Sequence, residues 1–371
     1  MLKVQNYTSC GEVMPFGIKS PPYKRTIPLI YGPRAEWMKD IISQKIDEEV
    51  KAPDFDIIKF KNATIHGPGV VTLSDKILVQ ETLQNCEHDK TLGNIHRVES
   101  ANGFELNHNN IVKRLDGNFI HIKVQWDGNY GHWLIECLPR LILLSKSISI
   151  QGFKIIVSGN GGKIDQVYVD SLATIGIAPE DIFFSQYNNY YFDEVIYPSP
   201  ITIQPWIKSP LSVVALDELC ASIIAESTEK PIAYSSKIFI ERPNTSRRSL
   251  LNIEIIQDIA SKNGFAIVNP SKMSFHQQVL TFANAEAVVG VLGAECTNIV
   301  FSKPGVKFFG LSPENMQDDF FWDLVSLKKG QYISLHGLSN DENNDMNSSF
   351  SIDANIFEQL LEKFFRADQT S

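Results

Sequence analysis

The feature that most constrains this fold is a regular alternation of short apolar strands and helices in the second half of the chain. The strand patterns lie at residues 237–241, 265–268, 287–291 and 306–310, and the helix patterns lie at 252–262, after Ser274 and at 294–301. Consecutive strands joined by helices form a parallel sheet with right-handed crossovers. We therefore predict an α/β domain that binds its ligand at the carboxyl ends of these strands.

The first half predicts a β meander followed by an α/β layer. Short β runs at residues 57–60, 63–66, 70–73 and 77–80 are separated by turn residues. Four prolines between residues 198 and 210 mark the best linker candidate. We predict an N-terminal domain of residues 1–210 and a Rossmann-like C-terminal domain of residues 211–350. A last helix within 351–371 is free to pack back on the first domain.

Charge and cysteine content narrow the functional classes. The chain of 371 residues has a formal net charge of −9, which argues against the basic surface that nucleic acids require. Its five cysteines form no CxxC pair, so we expect neither a zinc site nor a disulfide framework. Residues 1–20 lack a signal-peptide core, and no apolar run reaches the ~18 residues of a membrane span. We expect a cytoplasmic protein, and we leave open its oligomeric state and any peripheral association with the inner face of a membrane.

A glycine-containing loop follows the predicted strand at 287–291. Gly290 and Gly293 allow a sharp turn and a close approach of the backbone to a ligand. The next helix would direct its free N–H groups and positive dipole end at that gap, which suits a phosphate, and Thr297 and Asn298 add side-chain donors. The alternative is a turn in which glycine serves packing alone.

Three arginines follow the neighbouring strand at 237–241, namely Arg242, Arg247 and Arg248. Guanidinium groups hold phosphate oxygens through paired hydrogen bonds and stay charged. The alternative is a solvated basic loop, but three arginines at the ligand edge of a sheet are unexpected in an acidic chain. Together the two loops predict a diphosphate site.

A third constellation lies in the first half of the chain, where residues 129–140 have the sequence NYGHWLIECLPR. In a helix over this segment, His132, Glu136 and Arg140 share one face because they are four residues apart. A neutral imidazole beside a carboxylate is a suitable general base for a hydroxyl group. The alternative is an ordinary ion pair of Glu136 with Arg140, next to a helix-capping histidine.

Other local signals are weaker. Pro139 removes a backbone donor and frees the carbonyl of Ile135, so we expect a kink in this helix. The segment Asp54-Phe55-Asp56 matches the DxD pattern of metal-dependent enzymes, but it precedes the meander, so we discount it. The chain contains no P-loop, GxSxG, HExxH or GxGxxG motif.

Together these stretches resemble glycosyltransferase family 61, whose bacterial members are often described as capsular polysaccharide biosynthesis proteins. The resemblance rests on two motifs in the same order, NYGHWLIECLPRL at residues 129–141 and VGVLGAECTNIVFSKPG at residues 289–305. The arginine segment that ends at Asn252 and the meander at 63–80 fit as well, so the resemblance covers about residues 55–310.

The resemblance implies a GT-B-like fold, in which two Rossmann-like domains face a cleft and the C-terminal domain holds most of the nucleotide. It implies an inverting reaction without a metal or other cofactor. The substrates that it implies are a nucleoside-diphosphate sugar and a glycan or lipid-linked glycan acceptor. Carried over by position, Asn129, His132, Glu136 and Arg140 face the cleft.

With the arguments from charge and spacing, this gives three groups of candidate residues. We assign catalysis to His132 and Glu136, and we favour His132 as the base with Glu136 behind it. The predicted donor-binding residues are Arg242, Arg247, Arg248, Gly293, Ala294, Glu295, Thr297 and Asn298. The predicted acceptor or cleft residues are Asn129, Tyr130 and Arg140.

One departure from the family pattern leaves two classes of function open. The family usually has a histidine where this chain has Leu292. The chain is therefore expected to be either an active hexosyl- or pentosyltransferase of surface polysaccharide biosynthesis, or a catalytically inactive nucleotide-sugar or glycan binding protein of the same fold. A nucleotide-sugar epimerase is disfavoured because the chain lacks a GxGxxG motif.

Overall fold

The structure is a computed structural model that describes residues 1–84, 86, 88–107, 111–159, 161–242, 247–341 and 345–365. The chain forms two compact units, each made of two separate segments. The first unit comprises Met1–Pro21 and Lys51–Ala215, and the second comprises Pro22–Val50 and Leu216–Ser371. Both units combine helices with strands, which confirms the predicted α/β class.

The second unit is built on a seven-stranded sheet. Its order is Ala266–Val268, Lys237–Ile240, Ala287–Val291, Lys307–Pro313, Gln331–Ser339 and Phe350–Ser351, with Leu29–Tyr31 also paired with Gln331–Ser339. Neighbouring strands are parallel except for Phe350–Ser351, which is antiparallel. The predicted alternation of strands and helices in this half of the chain is therefore confirmed.

Helices cover this sheet. The α-helices are Ala35–Ile46, the later part of Pro210–Glu226, Ile253–Lys262, Phe275–Phe282, Phe320–Leu327 and Ala354–Phe365. There are also 3-10 helices at Pro270–Lys272 and Ala294–Phe301. A separate two-stranded sheet pairs Tyr23–Lys24 with Glu49–Val50. The helix Phe275–Phe282 begins with a capping box between Ser274 and Gln277. The two residues satisfy each other's backbone N–H groups, which fixes the start of the helix where the sequence predicts it.

Residues 22–50 lie in the second unit, whereas the sequence placed them in a domain of residues 1–210. Long-range pairing is the reason. Leu29–Tyr31 runs parallel to Gln331–Ser339 at the edge of the sheet. The buried guanidinium of Arg25 pairs with Asp323 at 2.7 Å between Nε and Oδ1.

The last helix, Ala354–Phe365, packs within the second unit. Its buried side chains Phe357, Leu361 and Phe365 join the core that contains Phe309. The sequence left open whether this helix packs on the first domain. In the structure, its apolar face packs against the sheet of the second unit.

The first unit contains a ten-stranded mixed sheet. Its main path is Lys3–Gln5, Ile77–Val79, Val70–Leu73, Ile57–His66, Asn189–Pro198, Phe119–His121, Lys154–Val157 and Ile182–Phe184, with Val112–Arg114 beside Asn189–Pro198 and Glu12–Val13 beside Ile57–His66. Val70–Leu73 is antiparallel to both Ile57–His66 and Ile77–Val79, which confirms the meander. One strand replaces the two predicted at 57–60 and 63–66, because the chain continues through Asn62 with a positive φ of 51° instead of turning there.

The remaining elements of the first unit are short. The helices are Tyr7–Cys10, Tyr130–His132, Trp133–Cys137, Leu138–Ser147, Lys163–Ala173 and the start of Pro210–Glu226, with 3-10 turns at Gln80–Leu83, Glu99–Ala101 and Pro179–Asp181 and a small sheet of Thr91–Leu92, Ile95–Val98 and Gly103–Leu106. Over the described ranges of both units, we find no helix with the length and apolar content needed to cross a membrane.

The proline-rich segment 198–210 is part of the first unit and is not a linker. Ser199, Ile201 and Lys208 within it are fully buried. The chain passes from the first unit to the second inside the helix Pro210–Glu226. The prolines therefore shape a packed segment, and composition alone did not distinguish this from an exposed connection.

Candidate functional site

The candidate donor site lies where the sheet of the second unit changes its winding direction. Three strands joined by helical crossovers follow one another in the chain, in the order Lys237–Ile240, Ala266–Val268 and Ala287–Val291. In the sheet, the first of them lies between the other two. Crossovers leave such a point toward opposite sides, which opens a crevice at the carboxyl ends of the strands. Arg242 follows the first strand and Gly293 follows the third, so the structure brings the two predicted loops together.

Arg242 and Gly293 are in direct contact. The Nη1 group of Arg242 donates to the carbonyl of Leu292 at 3.0 Å. A Cβ atom added to Gly293 would lie 3.0 Å from that Nη1 atom and 3.2 Å from Oε2 of Glu295. The backbone of Gly293 is extended, with a φ of −175°. A side chain at this position would crowd the guanidinium, so glycine allows the close approach that the sequence predicts, whereas the extended backbone shows no sharp turn at Gly293 itself.

Arg248 places a second guanidinium near that of Arg242. Burial lowers the pKa of Arg248, and the neighbouring positive charge of Arg242 lowers it further. The Nε atoms of both arginines are buried and have no hydrogen-bond partner within the described ranges. Two like charges with unused donors form a site that an anion would stabilise.

The middle of the arginine loop, residues 243–246, lies outside the described residues. Arg247, which follows it, has an exposed side chain. Its charge also contributes to the lowered pKa of Arg248, so the guanidinium of Arg247 acts on the same site electrostatically.

Thr297 adds a third unused donor. It lies in the 3-10 helix Ala294–Phe301, whose first residues, Ala294 and Glu295, are partly buried. The side chain of Thr297 is fully buried, and its Oγ1 atom has no hydrogen-bond partner in the described parts of the chain. Buried hydroxyl groups are nearly always hydrogen-bonded, so Oγ1 of Thr297 is available to hydrogen-bond to a ligand.

Asn298, by contrast, is used by the protein itself. Its Nδ2 group donates to Oε1 of Gln278 at 2.9 Å and to the carbonyl of Glu295 at 3.0 Å. The residue is fully buried. The Nδ2 group therefore anchors the short helix to a neighbouring one, and the donor contact that the sequence predicts for Asn298 stays a prediction.

Gly290 and Leu292 both serve packing. A Cβ atom on Gly290 would lie 3.1 Å from Cβ of Ile240 and 3.2 Å from Sγ of Cys296, so the glycine lets the strand and the short helix approach. Leu292 is fully buried and packs closely on Gly310. The position where the resemblance expects histidine thus holds an apolar core side chain.

His132 and Glu136 in the first unit form the pair that their spacing predicts. The Nδ1 atom of His132 hydrogen-bonds to Oε1 of Glu136. The imidazole side chain is 19% exposed and the carboxylate 3% exposed. Since a carboxylate only accepts, Nδ1 donates in this bond, and in the neutral imidazole Nε2 is then the proton acceptor. The pair has the arrangement of an oriented general base with a carboxylate behind it.

A π turn positions this pair. The segment Trp133–Cys137 is π-helical, and the N–H of Leu138 donates to the carbonyl of Trp133, five residues earlier. Pro139 cannot donate to the Ile135 carbonyl, which instead accepts from Oγ of Ser212 at 3.0 Å. The helix is therefore irregular beside Pro139, in the form of a π turn, a feature often found at functional sites.

The three predicted acceptor or cleft residues differ in how far they are exposed. Asn129 is exposed and caps the helix, since its Oδ1 atom accepts from the N–H of Gly131 at 2.9 Å, and Tyr130 is partly exposed. Arg140 is fully buried, donates to the carbonyls of Pro198 and Ile122, and lies over the ring of Tyr197. Arg140 therefore has a structural role, whereas the sequence grouped it with residues of an open site.

Trp126 is a residue that the sequence did not single out. Its ring packs edge-on against that of His132, with centroids 5.5 Å apart, and its side chain is 55% exposed. Its φ is 67°, a conformation that is unusual for a bulky residue. An exposed tryptophan held in this conformation beside the candidate base is a candidate contact for a sugar ring.

Asp127 and Lys123 form a buried charged group close to this motif. Burial raises the pKa of Asp127 to about 6, although Lys123 opposes the shift, and burial lowers the pKa of Lys123 to about 8. The ammonium of Lys123 donates to the carbonyl of Gly67 at 2.5 Å and to Oγ of Ser185 at 3.1 Å. These bonds tie the segment that precedes the motif to neighbouring loops. Within the sequence, Asp127 is indistinguishable from an ordinary turn residue.

The DxD segment carries no visible metal-binding geometry. Asp54 binds Nζ of Lys19 at 2.7 Å and Asp56 accepts from the Tyr7 hydroxyl at 2.8 Å, while Phe55 is fully buried. In the described parts of the chain, no group of three or more His, Cys, Asp or Glu side chains is arranged to hold a metal ion.

Residues 130–309 match the family model described as Glycosyltransferase 61. The matched region contains the His132–Glu136 pair and the whole candidate donor site. The match supports a glycosyltransferase, an enzyme class that acts on a sugar donor and a glycan acceptor, and it supports family 61 in particular. No curated protein matches the chain.

Proposed function

We propose that the protein is an inverting, metal-independent glycosyltransferase of the GT-B type. It moves a hexosyl or pentosyl group from a nucleoside-diphosphate sugar to a hydroxyl of a glycan or lipid-linked glycan. The setting that we propose is surface polysaccharide biosynthesis, such as capsule assembly, in the cytoplasm at the inner face of the membrane.

The observation that carries the proposal is a set of three unused donors at the edge of the parallel sheet. Arg242 Nε, Arg248 Nε and Thr297 Oγ1 are buried and lack hydrogen-bond partners in the described residues. Diphosphate oxygens only accept hydrogen bonds, so a diphosphate bound at this edge would offer acceptors to unused donors and would balance both guanidinium charges. The charge that develops on the leaving diphosphate would be stabilised in the same way.

In the proposed reaction, the acceptor hydroxyl oxygen attacks the anomeric carbon of the donor from the face opposite the nucleotide. The new oxygen–carbon bond forms as the bond to the diphosphate oxygen breaks, and the electron pair of that bond leaves with the nucleoside diphosphate. Nε2 of His132 takes the hydroxyl proton, and Glu136 stabilises the resulting imidazolium through Nδ1.

Metal independence follows from assigning charge neutralisation to the arginines. Activity should be unchanged in excess EDTA. Loss of activity in EDTA with rescue by manganese would contradict this part of the proposal.

A second candidate is a binding protein of the same fold that has lost catalysis. The buried Leu292, which replaces the histidine usual in the family, is the observation that favours it. Slow hydrolysis of the donor distinguishes the two candidates, because an active transferase usually passes some sugar to water and a binding protein does not.

A thermal-shift panel of nucleoside diphosphates and nucleotide sugars tests donor binding itself. A true donor at about 100 times its Kd should stabilise the protein by about 2.7 kcal/mol. The panel also identifies the base and the sugar, which rest on a few pocket contacts. If none of these compounds raises the melting temperature, the proposed donor site is wrong.

A further inference from the structure

A groove with a volume of about 680 Å³ lies on the first unit. Its described lining comes from three separate stretches of chain, at residues 4–7, 80–84 and 200–206, together with Pro53. This volume is within the range of small-molecule binding sites. The candidate residues assigned from the sequence do not line it.

Trp206 stands at the tip of a tight turn in the groove wall. Ile203 and Ile207 exchange backbone hydrogen bonds of 2.9 and 2.7 Å, and the buried ammonium of Lys208 donates to the Pro205 carbonyl inside the turn. The Trp206 side chain is nevertheless 54% exposed. The turn therefore presents a large aromatic face to the groove, and such a face can stack against the apolar face of a sugar ring.

Two amide groups in the groove lack partners among the described residues. The Nε2 atoms of Gln84 and Gln204 are buried and have no hydrogen-bond partner in the described residues, and Gln204 is only 6% exposed. Buried amide N–H groups are unfavourable when they are unpaired. Both would be satisfied by hydroxyl oxygens of a ligand in the groove.

The charge of the groove disfavours an anionic ligand. Among its described lining residues there is one carboxylate, that of Glu81, and no lysine or arginine. Burial raises the pKa of Glu81, whose Oε2 atom accepts from the N–H of Tyr7 at 2.9 Å. Uronic acids or phosphates would meet this carboxylate without a compensating cation.

The groove shares part of its lining with a small cavity beside Glu136. Glu81, Gln84, Pro200 and Thr202 also line a small enclosed cavity whose other wall includes Glu136. The cavity holds about 10 Å³, the space of a single water molecule. Residues that line the groove therefore also line the small cavity next to the carboxylate of Glu136.

We infer that this groove binds a neutral oligosaccharide, the part of the acceptor that flanks the reacting hydroxyl. Trp206 stacks on one sugar ring, and the amides of Gln84 and Gln204 donate to its hydroxyl oxygens. The identification of this oligosaccharide as the acceptor rests on the proposed function, whereas the binding itself does not.

The test uses the full chain and an array of neutral oligosaccharides with their uronic-acid-containing counterparts, followed by calorimetry on the best binder. We expect neutral members to bind and Trp206→Ala to weaken that binding at least about tenfold. Gln204→Leu should weaken it as well. Trp37→Ala is the matched control, because Trp37 is a similarly exposed tryptophan, 45% exposed, in the second unit.

Melting curves of all variants establish that they are folded. The inference is overturned if the wild-type protein binds no neutral oligosaccharide, if only the acidic members bind, or if the folded Trp206 and Gln204 variants bind as tightly as the wild type. Nucleotide-sugar binding and hydrolysis by the wild-type protein are measured separately. Glycan binding through Trp206 without donor binding would refute the proposed function alone, and donor cleavage without such glycan binding would refute this inference alone.

Discussion

Thr297→Val tests the candidate donor site by removing a single hydroxyl group. The side chain is fully buried, and its Oγ1 atom has no hydrogen-bond partner in the described residues. An unpaired buried polar group costs about 1–3 kcal/mol, and valine has nearly the same shape without the hydroxyl. We expect the free energy of unfolding of the free protein to rise by about 1 kcal/mol and the melting temperature by about 2 °C.

The same substitution should weaken donor binding. In the proposed complex the hydroxyl donates to a diphosphate oxygen, and hydrogen bonds to charged groups contribute about 1.5–3 kcal/mol. The valine variant should therefore bind nucleoside diphosphate about ten- to a hundredfold more weakly. Calorimetric titration with the diphosphate that stabilises the wild-type protein most, together with thermal unfolding without ligand, measures both effects.

Thr281→Val provides a matched control. Thr281 is also buried in the second unit, but its Oγ1 atom accepts from the N–H of Ile232 at 3.0 Å. Its replacement leaves that N–H unpaired, so the control should lose stability and keep its affinity. If Thr297→Val loses stability as the control does, or binds the diphosphate unchanged, Thr297 is not a ligand donor.

Three further predictions concern single residues. His132→Ala should lower kcat by ~10²–10⁴ with donor affinity near wild type, as steady-state kinetics with both substrates would show. Glu136→Gln should act in the same direction, and less severely if Glu136 only orients the imidazole. Arg247→Ala should weaken diphosphate binding several-fold, and more so at low ionic strength because the side chain is exposed, which titrations at two salt concentrations check. Asp127→Asn should flatten the pH dependence of stability between about pH 4 and 6, as denaturant titrations at several pH values would show. Burial raises the pKa of Asp127 from 3.8 to about 6, although Lys123 opposes the shift. Between these pH values the folded wild-type protein therefore holds a proton that the unfolded chain releases. The stability of the wild-type protein falls as the pH rises through this range.

Local patterns predicted the sheet of the second unit well. Strand Ala287–Val291 and helix Ala294–Phe301 have the predicted bounds, because a short apolar run, a glycine turn and a following apolar helix are all encoded within 15 residues. Residues 22–50 were misplaced because the pairing of Leu29–Tyr31 with Gln331–Ser339 joins segments about 300 residues apart and has no local signal.

The contrast between local patterns and long-range contacts also applies to the candidate sites. The His132–Glu136 contact follows from an i, i+4 spacing, so the sequence contains it. The hydrogen bond of Asn298 to Gln278 has no signal in the sequence because it depends on how two helices pack. The groove at Trp206 was missed because its lining comes from three distant stretches, none of which has a motif.

Product analysis by proton NMR tests the proposed glycosyl transfer most directly. The wild-type protein is incubated with the nucleotide sugar that it binds best, in EDTA, and the anomeric signals of the released sugar are followed before they equilibrate. We predict slow release of nucleoside diphosphate together with a sugar of inverted anomeric configuration. A folded protein that binds no nucleotide sugar, that binds one without cleaving it, or that releases sugar with retained configuration would contradict an inverting glycosyltransferase.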